Sequence, residues 1–93
     1  MKTISILIGN SDNKLTQAYW ADYIAEIDNV VTNHANVIHF TGGSAYYSPY
    51  QNACFVFEIQ EEKIKWLLEK VTRIRKSYSQ DSVAVITGTT EFI

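Results

Sequence analysis

A single cysteine, Cys54, excludes an internal disulfide and any multi-cysteine metal centre. Secreted domains of this size often rely on disulfides, so a reducing, cytoplasmic compartment is expected. Proline and glycine are also scarce, at one and four residues, whereas 46% of the 93 residues are hydrophobic and 13% aromatic. That balance excludes a disordered chain. No apolar run approaches the roughly 20 residues that span a bilayer. The run at residues 3–8 is too short for a signal peptide, and it alternates. Net charge is −2, unlike the basic balance of a general nucleic-acid binder. The charge is uneven, with six of the eight basic residues lying between Lys63 and Lys76. Length and composition together imply one domain over residues 1–93.

The hydrophobic pattern divides the chain into six elements. Ile4, Ile6 and Ile8 alternate with Thr3, Ser5 and Leu7, which predicts a central strand over 3–8. Residues 9–13 end it with turn formers. Thr16 is a candidate N-cap, and Leu15 and Trp20 have the spacing of a hydrophobic staple. Trp20, Tyr23, Ile24, Ile27, Val30, Val31 and His34 recur at helical spacing, predicting a helix over 17–34. Strands follow at 37–41 and 53–59, joined by a long loop over 42–52 that holds Tyr46, Tyr47 and Tyr50. A second helix is expected over 61–79, on a stripe of Ile64, Leu67, Leu68, Val71, Ile74 and Tyr78. Glu61–Lys65 and Glu69–Arg73 would support it as i,i+4 pairs. The fourth strand spans 82–87, and 89–93 reads as a short terminal strand.

The order β-α-β-β-α-β implies an α+β ferredoxin-like sandwich. Its four-stranded antiparallel sheet carries both helices on one face, with the first and third strands central. Ile4, Ile6, Ile8, Phe55, Phe57, Val83 and Val85 form the better core set. Thr3, Ser5, Leu7, Cys54, Val56, Glu58, Ala84 and Ile86 then share the other, uncovered face. That face is apolar enough to mark an interface, with sheet-to-sheet dimerisation its favoured use.

Other features are weighed against simpler readings. The polar turn Asn10, Ser11, Asp12, Asn13 and Lys14 could hold an anion at a helix N-terminus, although capping alone explains it and no P-loop is present. Tyr46, Tyr47 and Tyr50 suit a partner contact, or they fold back over the sheet. His34, His39 and Cys54 could ligate a metal or form a Cys–His pair, but no third ligand or orienting acid is evident, and no metal or cofactor is assigned. The cations of 63–76 could meet phosphates, yet Glu61, Glu62 and Glu69 interleave with them as on a solvated face. Asp81 beside Glu58 could act as an acid or base; ending a helix is its simpler role.

Three stretches stand together: 8–17, which contains Ile-Gly-Asn-Ser-Asp-Asn-Lys-Leu; 49–54; and 80–92, from Gln-Asp-Ser to Thr-Glu-Phe. In these the chain resembles a family of small uncharacterised bacterial proteins with an IGNSD-x-KL motif near the start and a QDS…TEF ending. The resemblance spans nearly the whole chain, carries no known activity, and implies that these polar stretches do more than cap. Because the first and third strands run antiparallel, the end of one lies near the start of the other. Asn10, Asp12, Lys14, Gln51 and Asn52 are therefore expected to form one polar cluster. The signatures of RNA-binding RRM domains, ferredoxins, CxxC metal carriers and acylphosphatase-like enzymes are all missing.

The expected function is a non-enzymatic protein-interaction module: a homodimer, an adaptor or a small inhibitor of a larger protein. Small acidic proteins of phage and mobile elements share that profile. The alternative is a small-molecule enzyme or sensor of the dimeric α+β-barrel kind, with His39, Asp12 and Glu58 as candidates. Neither nucleic acid nor a membrane is an expected partner.

Overall fold

Alternation places Ile4, Ile6 and Ile8 on one side of β1 (Lys2–Gly9), where all three are buried. Ala53, Phe55, Phe57 and Ile59 do the same on β3 (Asn52–Ile59). The two strands pair antiparallel without interruption from Lys2–Ile59 to Gly9–Asn52, which sets Ile4 beside Phe57 and Ile6 beside Phe55. A computed structural model describes residues 1–10, 13–45 and 47–93. Its sheet has the order β2-β3-β1-β4, with β2 at Val37–Gly43 and β4 at Ala84–Gly88, and every neighbouring pair is antiparallel. With helices α1 (Gln17–His34) and α2 (Ile64–Ser77), this is the βαββαβ ferredoxin-like arrangement.

Helix α1 starts where the cap chemistry puts it. The Thr16 hydroxyl accepts a hydrogen bond from the Tyr19 amide, satisfying one free donor of the first turn. Leu15 and Trp20 are both buried in the core on either side of that cap. Trp20, Tyr23, Ile27 and Val31 face inward, as do Leu67 and Val71 of α2, and all join the sheet residues in one core. Both helices therefore lie on the same face of the sheet.

Helix α2 is shorter than its periodicity predicts. Glu61–Lys63 form a 3-10 turn ahead of it, so Glu61 and Lys65 lack α-helical stacking. Neither Glu61–Lys65 nor Glu69–Arg73 closes as an ion pair among the described residues. The helix ends in a Schellman motif: the Ser79 amide bonds Lys76 O and the Gln80 amide bonds Arg75 O. Ser79 occupies the left-handed position, at φ 56°, that glycine usually fills. The Arg75 guanidinium also donates to the carbonyls of Gln80 and Asp81.

The helices cover only the central strands. Ile38 of β2 and Val85 of β4 point to the helix side yet stay 45% and 38% exposed. Val85 is thus not a core residue, and Val83 only packs against the core's margin. Residues 89–93 form no strand, because they leave the sheet's plane rather than meet a free edge. Strand β2 carries a bulge: Ile38 pairs with Phe57 and Phe40 with Val56, leaving His39 as the extra residue. The bulge flips the alternation, so Phe40 and Gly42 face the open side.

One polar atom in the core is unsatisfied. The Tyr23 ring stacks on Tyr78 at 5.0 Å, but its buried hydroxyl has no partner among the described residues. Burial pushes its pKa up to about 12, although the Arg75 charge pulls the other way. A buried unpaired hydroxyl costs free energy that a phenyl ring does not. Tyr23→Phe is expected to stabilise the protein by about 1 kcal/mol in urea unfolding; a clear loss would show that the hydroxyl has a partner. A second gain of about 0.5–1 kcal/mol is expected for Ser79→Gly, because glycine adopts positive φ without strain.

Candidate functional site

Two features invite a functional reading: the polar junction where β1 meets β3, and the uncovered sheet face. At the junction, Asn10 is only 1% exposed. Its amide donates to Gln51 O, extending the β1–β3 ladder by one bond, and its carbonyl accepts from Asn13 N. The side-chain oxygen accepts from the Leu15 amide at 3.0 Å, while its nitrogen donates to Leu15 O and to Gln51 Oε1, each at 3.1 Å. Gln51 is doubly bonded in turn: Gln51 Nε2 donates to Gln17 Oε1 at 2.7 Å, and Gln17 Nε2 donates back to Gln51 Oε1 at 2.9 Å.

Three carboxamides thus bind the end of β1, the first turn of α1 and the start of β3 to one another. The donors and acceptor of the Asn10 side chain are spent within the protein. The junction is therefore a structural clamp. Gln17 belongs to it, although helical periodicity alone marks that residue only as the first of α1. Its signal was a polar side chain at a helix start whose preceding loop must return to the sheet.

Two other residues expected in this cluster make further contacts among the described residues. Lys14 pairs with Asp81 at 3.4 Å across the surface. Asn52 turns into its own loop, where its backbone amide donates to Ser44 Oγ and its side chain donates to Tyr50 O. Tyr47 and Tyr50 are largely exposed and do not fold back over the sheet. Asp12 and Tyr46, with Ser11, lie outside the described residues.

The uncovered face is laid out in three cross-strand rows. The middle row runs Phe40, Val56, Ser5, Ile86 across β2, β3, β1 and β4. The next runs Gly42, Cys54, Leu7, Ala84, and the third runs Val37, Glu58, Thr3, Gly88. Phe40 and Ile86 project at the two ends of the middle row, with small Ser5 between them. In the next row Leu7 projects and Ala84 leaves a hollow at one end, while the Phe40 ring lies over Gly42 at the other. Gly42 is required beneath Phe40, since a Cβ there would lie 2.7 Å from the ring.

Charge is nearly absent from this face. Among the described residues, the titratable groups that its strands present are Glu58, His39 and Cys54, and the His39 Nε2–Glu58 Oε2 distance is 2.8 Å. The histidines and the cysteine do not converge. His34 stacks on Trp66 at the far end of α1, 4.4 Å between ring centres, with Lys70 Nζ 4.0 Å over the same indole. Partial burial and the Lys70 and Lys63 charges lower its pKa. Cys54 sits four residues along β3 from Glu58, about 13 Å away. No group of three His, Cys, Asp or Glu side chains that could hold a metal occurs among the described residues. The cations Lys65, Arg73 and Lys76 stay on the solvent side of α2 around Glu69. Among the described residues, no helix is long and apolar enough to cross a membrane.

No protein-family model matches the chain, and no curated protein sequence matches it. Among solved structures it is similar to a de novo designed protein, Foldit4, with a TM-score of 0.61 and 18% identity over 97% of this chain and 96% of the other. At that identity the likeness concerns the fold alone.

Loss of the Asn10 side chain would strand the Leu15 amide and carbonyl and one Gln51 contact in a buried setting. Asn10→Ala is expected to cost about 3 kcal/mol in urea unfolding, from three lost hydrogen bonds of about 1 kcal/mol each. A loss under about 0.5 kcal/mol would show that the clamp is not structural.

Proposed function

We propose that the protein is a non-enzymatic protein-interaction module that self-associates through the open face of its sheet, copy against copy. The observation that carries this reading is the face itself. It presents Phe40, Leu7, Val37 and Ile86 to solvent around a half-buried Val56, and Glu58, the carboxylate of its strands, is already partnered by His39 within the same face.

Neutrality favours a second copy as the occupant. A twofold interface sets like against like, so a charged face would repel itself. Among the described residues, every arginine, every lysine except Lys2 of β1, and the acids other than Glu58 of β3 lie on the helices and loops instead. The same face also offers both projections and, at Ala84, a hollow, which a self-complementary contact needs. Its size fits as well. Four strands about 4.8 Å apart and five to eight residues long project roughly 440 Å². Side-chain relief adds to that, which places the contact between weak interfaces and the standard of about 800 Å² per partner.

A second reading draws on the His39–Glu58 pair, a close base and acid on this face. In a small-molecule enzyme or sensor of the dimeric α+β-barrel kind, two such faces enclose a pocket. That reading requires a retained small molecule in native mass spectra that His39→Ala removes. A role as adaptor or small inhibitor of a larger protein would put a foreign surface on the same face, and is what a strictly monomeric chain would leave.

Sedimentation velocity across a concentration series tests the proposal. The protein is expected to shift from monomer to dimer with concentration. Ile86→Asp, at a position 60% exposed in the single chain, is expected to weaken that dimer at least about tenfold, since a buried unpaired charge disrupts an interface without touching the core. A protein that stays monomeric at every concentration contradicts the reading.

A further inference from the structure

The chain does not stop at β4. Residues 89–93 leave that edge strand and turn back over the open face, with two contacts marking their path. Thr90 Oγ1 shares a hydrogen bond with Thr3 Oγ1 on β1. Phe92 then lies against His39 of β2, 6.0 Å between ring centres at 53°. Since β1 neighbours β4 and β2 is the opposite edge, the segment crosses the width of the sheet along the row of Gly88, Thr3, Glu58 and Val37. No backbone hydrogen bond from 89–93 to the rest of the protein occurs among the described residues.

This crossing fixes the place of Phe92 but hardly covers it. Its side chain is 83% exposed, although the Thr90 bond and the His39 contact position it. A segment serving only to cover its own sheet would turn its phenyl ring inward, over Val37 or Val56. Here the ring leaves most of its surface to solvent. An aromatic ring held in position and still exposed has the character of an interface anchor: large contact area with its ordering cost already met.

We infer that residues 89–93 form part of the self-association surface, with Phe92 the anchor that one copy inserts into the other. This rests on the open-face reading above and extends it, because it gives the contact a centre of affinity outside the sheet itself. The occupant is a second copy for the reason given there, and because the segment is continuous with that face, to which it adds one acid, Glu91. The hollow beside Ala84 is the receiving position on the partner. By twofold symmetry each copy both donates and receives a ring.

Sedimentation velocity of the full chain is the test, with Phe92→Ala and Thr90→Val beside the unaltered protein. Phe92→Ala is expected to weaken the dimer by about tenfold or more, as loss of an aromatic anchor does. Thr90→Val, which frees the segment without removing the ring, is expected to weaken it by a smaller factor. Both side chains lie outside the core, so circular dichroism and urea midpoints should match those of the unaltered protein. A dimer that Phe92→Ala leaves unchanged or tightens would overturn the anchor while the face-to-face contact stands. An unaltered protein that is monomeric at every concentration would remove both.

Discussion

The pairing of β1 with β3 is the interaction on which the rest of this molecule depends. The strands are more than forty residues apart in sequence, yet they run in unbroken register with their isoleucines and phenylalanines side by side. A slip of one residue would turn Ile4, Ile6 and Ile8 to water and Thr3, Ser5 and Leu7 to the core. That one register therefore assigns both faces of the sheet. The helices claim the isoleucine–phenylalanine face, and whatever the protein contacts must use the other.

Asn10, Gln51 and Gln17 secure the same pairing at its open end. Where the two strands stop, the chain must leave in two directions, into α1 on one side and into the tyrosine loop on the other. Backbone polar groups at such a junction are costly to bury unpaired. The carboxamides satisfy them and hold α1 against the sheet at its first turn. A polar cluster that resembles a binding site is thereby spent on architecture, which shifts the search for function to the face that no element covers.

Much of this was legible in the residues. The alternation in 3–8, the 3.6-residue period of 17–34 and the Thr16 cap are local signals, and they place β1 and α1 closely. The membership of the open face on β1, β3 and β4 followed from the period of two alone, whereas that of β2 did not. Four features were not legible, each for a non-local reason. The His39 bulge depends on how β2 meets β3 and carries no glycine or proline to announce it. Val85 has a core residue's pattern, but the helical layer is too narrow to reach β4. Residues 89–93 have strand-forming composition, yet a strand needs a free edge and they turn out of the sheet. Asn52 and Gln51 are neighbours in sequence, and only the pleat decides that one joins the clamp while the other turns into its loop.

Cys54 offers the most direct measurement of the central claim, because it lies half-buried on the open face beside Leu7 and Gly42. Its rate of reaction with a small thiol reagent can be followed over a range of protein concentrations. If the open faces of two copies meet, the rate falls as concentration rises through the dissociation constant, and Ile86→Asp restores it. A rate that is the same at every concentration would contradict the account.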